Sequence, residues 1–397
     1  MVKRKKSKKE HKKSINLLSI SISLFSLLFV SYCIYSLYTL LNIKTVDPTS
    51  DNISTHKILS QLDTDLKKTI FIFEREKGDK RRISDVFVFL SNEKKEISLL
   101  IYLPGSLYFN GLEENFGSPI SVSSLRYAGD FLQEGRGVEY ALWQTEEILG
   151  FKVDNYIWIT TEAYENISEI YGDMNEVKEK DKGEYLKEPD VILSESFFKL
   201  HTFSSKYSNL KTFFNINKVD DLNDKIYSNL SFLKVLNEVD SFKRNVKDMQ
   251  TSAIDIGTSK YVVEELSGQG GQIKNINILE YDKSLRGYIS KMSDRDLEEE
   301  RVRIEVYNGS DTPGRASIYA RKIQNNGCDV VRFGNAPDSL EKSSVYISDK
   351  EKFNDSLYII TEVLLGKFEE ASERPSFMTT GDIVILLGED ISQIEIF

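Results

Sequence analysis

Side chains able to do chemistry are sparse in this chain. The three histidines, His11, His56 and His201, have no clustered spacing, so no zinc site is expected. Lys199, Lys206 and Lys211 could hold phosphate as point charges, although the plainer reading is surface lysine. Arg126 and Arg136 flank a Gly-rich stretch and would line either the mouth of a cleft or a solvated loop. The turn Asn308–Gly314 precedes a helical pattern whose free backbone N–H groups could receive an anion. Asp311 opposes that use, and capping of the helix by Asp or Thr is the expected role. Trp143 and Trp158 could stack on sugars, but Trp158 lies inside a strand pattern and reads as core. Arg82 and Asp85 stand together at the start of another strand pattern and read as an ion pair there.

The elements that must position these residues lie C-terminal to one long apolar run, Ser14–Asn42, which carries no charge between Lys13 and Lys44. A helix crosses a bilayer with about 20 apolar residues, so this run is read as a transmembrane helix. Before it, Met1–Lys13 has eight basic residues against one Glu10, leaving 44 basic and 61 acidic residues for the rest. The positive-inside bias holds the tail in the cytoplasm and sends the acidic bulk across the membrane. A cleaved signal peptide is the rival reading; the run is longer than a signal core, and no Ala occurs before Ala128 to make a cleavage site. An acidic exported region gives no footprint for nucleic acid. Only Cys33, in the run, and Cys328 are present, so the exported part must be held by apolar cores, and it is long enough for two. An exported, disulfide-free chain suits bacteria.

The coarse reading is α/β, with strands and helices intermixed. The domain plan is a basic cytoplasmic tail at 1–13, a transmembrane helix at 14–42 and a polar linker at 43–64. A mixed-sheet αβ domain occupies 65–290, a charged connector 291–300, and a smaller αβ domain 301–391. Strands are expected at Thr69–Glu74, Asp85–Leu90, Ile97–Leu103 and Tyr156–Thr160, the second and third joined as a hairpin. Gly117–Gly137 reads as loop with a short helix at Val122–Gly129. Helices are expected at Val138–Leu149, Glu162–Tyr171, Asp220–Val239 and Tyr261–Leu266. In the last segment Val302–Tyr307 alternates as a half-buried strand. A helix at Arg315–Asn325, strands at Cys328–Phe333 and Ser343–Ser348, a helix at Lys350–Leu365 and a strand at Asp382–Leu387 complete it.

The run Val306-Tyr-Asn-Gly-Ser310, then Gly314-Arg-Ala316, Gly327-Cys-Asp-Val330 and Asp382-Ile-Val-Ile-Leu-Leu-Gly-Glu-Asp390, resembles the LytR C-terminal domain of bacterial envelope proteins. The middle region, 65–285, is similar to the LytR-CpsA-Psr (LCP) catalytic domain. That similarity rests on Arg82-Ile-Ser-Asp85, the hairpin to Pro104, Glu146-Glu-Ile-Leu-Gly-Phe151 and Asp154-Asn-Tyr-Ile-Trp158. The resemblance implies transfer of glycopolymers from a polyprenyl-pyrophosphate carrier to the cell wall, with a divalent cation such as magnesium. It makes Asp85 a metal-associated position with Arg82 beside it, and Arg82, Asp85 and Arg126 the candidates for a remnant phosphate or metal contact. Two departures count against activity. The family's Pro-Arg-Asp is here Pro104-Gly105-Ser106, and its Arg-rich segment is absent, since no Arg lies between Arg136 and Arg244. Phosphoryl transfer relies on such groups, each worth about 2.7–4 kcal/mol. The expectation is therefore a membrane-anchored envelope protein without catalytic residues or cofactor, binding wall glycan or a polyprenyl-linked precursor. The alternative is an active transferase whose phosphate site is rebuilt from other residues.

Overall fold

A computed structural model of the chain describes residues 17–49, 55–62, 64–77, 80–109, 119–172, 200, 203–204, 209–266, 270–293 and 295–394. The basic tail, Lys199, Lys206, His11 and His201 lie outside them. Helix α1, Leu17–Asn42, is long and apolar enough over Ser19–Asn42 to cross a membrane, with a mean hydropathy of 1.9. The segment after it is not a free linker. Val46 bridges Tyr227, donating to the Ile226 carbonyl at 2.9 Å and accepting from the Ser228 amide at 2.9 Å. The short α2, Thr55–Ile58, brings Ile58 and Leu59 into the core.

Three long strands, β1 (Leu66–Lys77), β2 (Lys80–Asn92) and β3 (Ile97–Pro104), form an antiparallel meander. Helices α3 (Leu125–Leu132) and α4 (Gly137–Leu149) lead to β4 (Asn155–Ile159), which runs parallel to β1. Then come α5 (Thr161–Tyr171), α6 (Asn209–Phe214), α7 (Ile216–Asp220), β5 (Ile226–Ser228), α8 (Phe232–Asp248) and β6 (Gln250–Asp255). The six strands lie in the order β5-β4-β1-β2-β3-β6. Residues on β1 alternate between two cores. Ile70 and Ile72 pack toward α3, α4 and the later helix α9 (Ile278–Met292). Phe71 and Phe73 pack toward α5, α7 and α8. Nearly continuous apolar strands are what a sheet covered on both faces requires.

Three expectations change here. Tyr261–Leu266 is not a helix: β7 (Val262–Leu266) pairs antiparallel with β8 (Gln272–Ile276) as a separate ribbon, its paired valines suiting a strand. The single helix over Asp220–Val239 is interrupted, because β5 completes the edge beside β4 and a new helix starts only at Phe232. The charged run becomes α10 (Arg295–Glu300), and Glu300 is buried. Its carboxylate accepts from the backbone N–H of Asp355 at 2.7 Å and of Ser356 at 3.0 Å.

The second domain has β9 (Ile304–Asn308), α11 (Arg315–Asn325), β10 (Val330–Asn335), β11 (Ser344–Ile347), α12 (Asn354–Val363), β12 (Glu369–Ala371) and β13 (Ile383–Leu387). Its sheet order is β10-β9-β13-β11-β12. Strand β9 is buried along its whole length rather than on one face, because β10 and β13 flank it and the Glu305 carboxylate accepts from Thr380 and Tyr307. The two domains are docked by α11. Arg321 meets Asp282 at 2.7 Å and donates to the carbonyls of Glu147 and Ile148, both at 2.6 Å, placing a cation at the C-terminus of α4. Lys322 pairs with Glu147 at 2.6 Å, and Lys68 of β1 reaches Asn326 at 2.8 Å. Gly150, at φ +78°, closes α4 so near Asn325 that a Cβ would sit 2.4 Å from its side-chain nitrogen.

Breaking this dock has a measurable cost. Arg321→Ala leaves largely buried Asp282 with only the Asn325 amide, at 3.0 Å, and the more distant Arg286, at 3.9 Å, and a loss of about 3 kcal/mol is expected in urea unfolding. The unfolding curve should also split, the C-terminal domain melting first; a single unshifted transition would show that the contact contributes nothing.

Candidate functional site at the carboxyl edge of the six-stranded sheet

Strands β1 and β4 lie side by side and parallel, and the chain leaves them in opposite directions, β1 toward β2 and β4 toward β5. In open α/β sheets such a reversal is where ligands bind, in a crevice outside the carboxyl ends of the strands. Glu74 stands there, just past an irregularity in the β1–β2 pairing between Phe73 and Glu74. Its side chain is fully buried and forms an ion pair with Arg126 of α3. The Arg126 guanidinium also lies over the rings of Trp158, at 5.9 Å, and Tyr227, at 5.4 Å. Among the described residues the second oxygen of Glu74 and the indole N–H of Trp158 make no hydrogen bond of regular geometry, yet the indole lies close enough to the Glu74 carboxyl to favour its charged form. At the rim, Arg81 pairs with Glu162 at 3.2 Å. A backbone N–H at the start of α5 holds the Glu162 carboxyl below the usual range, and Arg81 adds to this.

Of the three sequence candidates, only Arg126 lies at this edge of the sheet. Asp85 pairs with Phe73 across the strands and accepts from the Tyr102 hydroxyl at 2.9 Å, which puts it on the other face of the sheet. Arg82 is the cross-strand partner of Arg75, and strand alternation puts it on the face of Asp85. The sheet therefore separates Arg82 and Asp85 from Arg126. Among the described residues no three His, Cys, Asp or Glu side chains cluster, and Asp85 alone does not make a cation site. Gly105 shows why no charged side chain replaces it: a Cβ there would lie 2.4 Å from the Ile83 carbonyl oxygen. Arg136 is held by Glu139 of its own helix turn. In the Asn308–Gly314 turn the Asp311 N–H donates to Glu389, so a carboxylate of the same chain takes the place of an external anion. Trp158 is core, and Lys211 is exposed on α6.

Glu74 and Tyr227 were not singled out from the sequence. Glu74 did carry a signal: it is the charge that ends Ile70-Phe-Ile-Phe73, and alternation puts it on the side of Ile70 and Ile72. Burial, the larger effect, pushes its carboxyl above the usual range against the opposing pull of Arg126. A carboxyl raised in the folded state contributes stability that is fully present below its unfolded value and is lost as pH rises through the folded one. Arg126→Ala removes the counter-charge. It should cost about 3–5 kcal/mol in urea unfolding near neutral pH. The deficit against the unsubstituted chain should shrink on acidification, as Glu74 takes up its proton. An equal deficit at both pH values would assign the loss to packing instead.

Residues 301–390 match the family described as LytR cell envelope-related transcriptional attenuator. No curated protein matches the chain. Among solved structures, "TagT bound to LI-WTA" is 13% identical with a TM-score of 0.37, covering 59% of this chain and 95% of that one. TagV of B. subtilis is 13% identical with a TM-score of 0.38, covering 57% and 97%. Protein gbs0355 of Streptococcus agalactiae is 7% identical with a TM-score of 0.40, covering 59% and 93%. At these values no residue role is carried across to this chain. Residues 301–390 thus match the LytR C-terminal family, and they are joined to a mixed α/β domain built on a six-stranded sheet.

Proposed function

We propose that this chain is a single-span bacterial cell-envelope protein, N-terminus in the cytoplasm, whose exported α/β domain binds a wall glycan or polyprenyl-linked precursor without transferring it. The observation that carries this reading is the neutralised guanidinium. Arg126, the sequence candidate in the crevice, is held by buried Glu74, and the loop after β3 carries Pro104-Gly105-Ser106 where a transferase would place charge. Catalysis of phosphoryl transfer needs guanidinium or metal charge free to meet phosphate oxygens. The strand-like pairing of Val46 with Tyr227 supports the membrane-side placement. It runs parallel to β5 and so brings Ile43 and the end of α1 to the same carboxyl edge. A precursor carried in the membrane would meet the crevice from that side. A second reading, a transferase with a rebuilt site, draws on the raised carboxyl of Glu74 in a crevice, the pattern of a general acid or base.

The deciding experiment uses the full chain in nanodiscs, because Leu40 and Ile43 belong to the domain core. Binding of a polyprenyl-pyrophosphate analogue is measured with and without magnesium, followed by an assay for glycan transfer. Binding unaffected by magnesium, with no transfer, is the expected result. Magnesium-dependent binding lost in Asp85→Ala, or turnover lost in Glu74→Gln, would overturn the non-catalytic reading.

A further inference from the structure

Helix α1 changes character part-way along. Residues 19–31 are exposed throughout, whereas a stripe at Tyr32, Ser36, Thr39, Leu40 and Ile43 is wholly or partly buried against the α/β domain. That spacing is one face of a helix. Leu40 and Ile43 join the core that holds Phe71 and Phe73. The first of these contacts is made by Tyr32. Its hydroxyl donates to the Phe213 carbonyl at 3.0 Å, its ring meets Phe213 edge-on at 5.8 Å, and it stacks with Phe214 at 6.5 Å and 11°. Three further ties hold the helix end in place. The Lys44 N–H donates to Asn223 at 2.9 Å, Thr45 donates to the Leu230 carbonyl at 2.6 Å, and Val46 extends the sheet. The domain therefore cannot swing on a loose tether.

Depth is set by length. A hydrocarbon core of about 30 Å takes about 20 helical residues at 1.5 Å each. Counted from Lys13, the last charge of the basic tail, such a span ends close to Cys33. Tyr32 therefore sits at the outer edge of the hydrocarbon. Tyr35 and Tyr38, both more than half exposed, come next, in the zone where tyrosines anchor helices at the membrane interface. Anything stacked on Tyr32 lies at that depth too. Phe214, at the end of α6, is 58% exposed although it is a large apolar ring.

We propose that α6 is a second membrane contact: the domain is seated on the outer leaflet of its own anchoring bilayer, with Phe214, beside Phe213, inserted at the headgroup–acyl boundary. The proposal rests on the reading of α1 as a span. Its consequence is that the carboxyl-edge crevice is held at a set height above the bilayer rather than sampling a range of distances.

The full chain carrying Phe214→Trp is reconstituted in liposomes containing lipids brominated near the glycerol end of the acyl chain, and the emission of Trp143 and Trp158 is subtracted using the unsubstituted protein. Trp at 214 is expected to shift to the blue and to lose most of its emission to the brominated lipid. Trp at 378, replacing exposed Met378 in the C-terminal domain, should be quenched by aqueous acrylamide alone. Phe214→Cys in a Cys33→Ala background gives an independent measurement. Its thiol should resist a bulky maleimide in liposomes and react in detergent. A Trp or Cys at 214 open to aqueous reagents, in protein that stays in the membrane on alkaline extraction, overturns the seating and leaves the span intact. Release of the protein by alkaline extraction overturns the span itself, and the seating with it.

Discussion

Burying β1 on both faces is the constraint on which the rest of the molecule depends. Ile70, Phe71, Ile72 and Phe73 are successive and each is at most 1% exposed. Each such side chain contributes about 1.5–3 kcal/mol when removed from water, and alternation sends neighbours to opposite sides. Helices must then cover both faces, which is why α3, α4 and α9 form one layer and α5, α7 and α8 the other. The same strand gives the domain its polarity. Its carboxyl end holds Glu74 and lies beside the end of α1. Near its amino end, Lys68 reaches Asn326 of the C-terminal domain.

Charges enter this interior only where another group receives them, and that explains why so few are available for chemistry. Glu74 is buried with Arg126, and Asp282 with Arg321. Glu300 and Glu305 are surrounded by backbone N–H groups and hydroxyls. Burial pushes the carboxyl of Glu146 well above its usual range, and its chief partner is the Val153 N–H. Desolvating an ion is costly, so these groups act as couplings between elements. The Arg321 contact illustrates the point: one guanidinium caps α4, pairs with α9 and belongs to α11, so three helices from two domains share it.

Much of this was legible in the chain itself. Periodicity and composition identified the long apolar helix, the β2–β3 hairpin, the β4–α5 unit and most of the C-terminal domain. Those elements carry their own signals: uninterrupted apolar runs, polar turns, and glycines such as Gly150 and Gly172 at helix ends. The errors fall where a local pattern yields to a neighbour. Ile226–Ser228 sits within a helical pattern but pairs with β4, because an unpaired sheet edge recruits it. Glu305 reads as the solvent side of a half-buried strand, yet β10 and β13 enclose it.

For the candidate site the division is sharper. The sequence by itself determined which charged groups exist: Pro104-Gly105-Ser106 at the end of β3, no Arg between Arg136 and Arg244, and Arg82, Asp85 and Arg126 as the candidates. Only the tertiary structure decided that Arg126 is neutralised by Glu74 while Arg82 and Asp85 lie behind the sheet. It also decided that the end of the apolar helix is part of the domain. The physical reason is the same in both cases. Periodicity along a chain reports which face of its own element a residue occupies, whereas pairing across 52 residues, or between the segment after an apolar helix and an edge strand, depends on how elements meet.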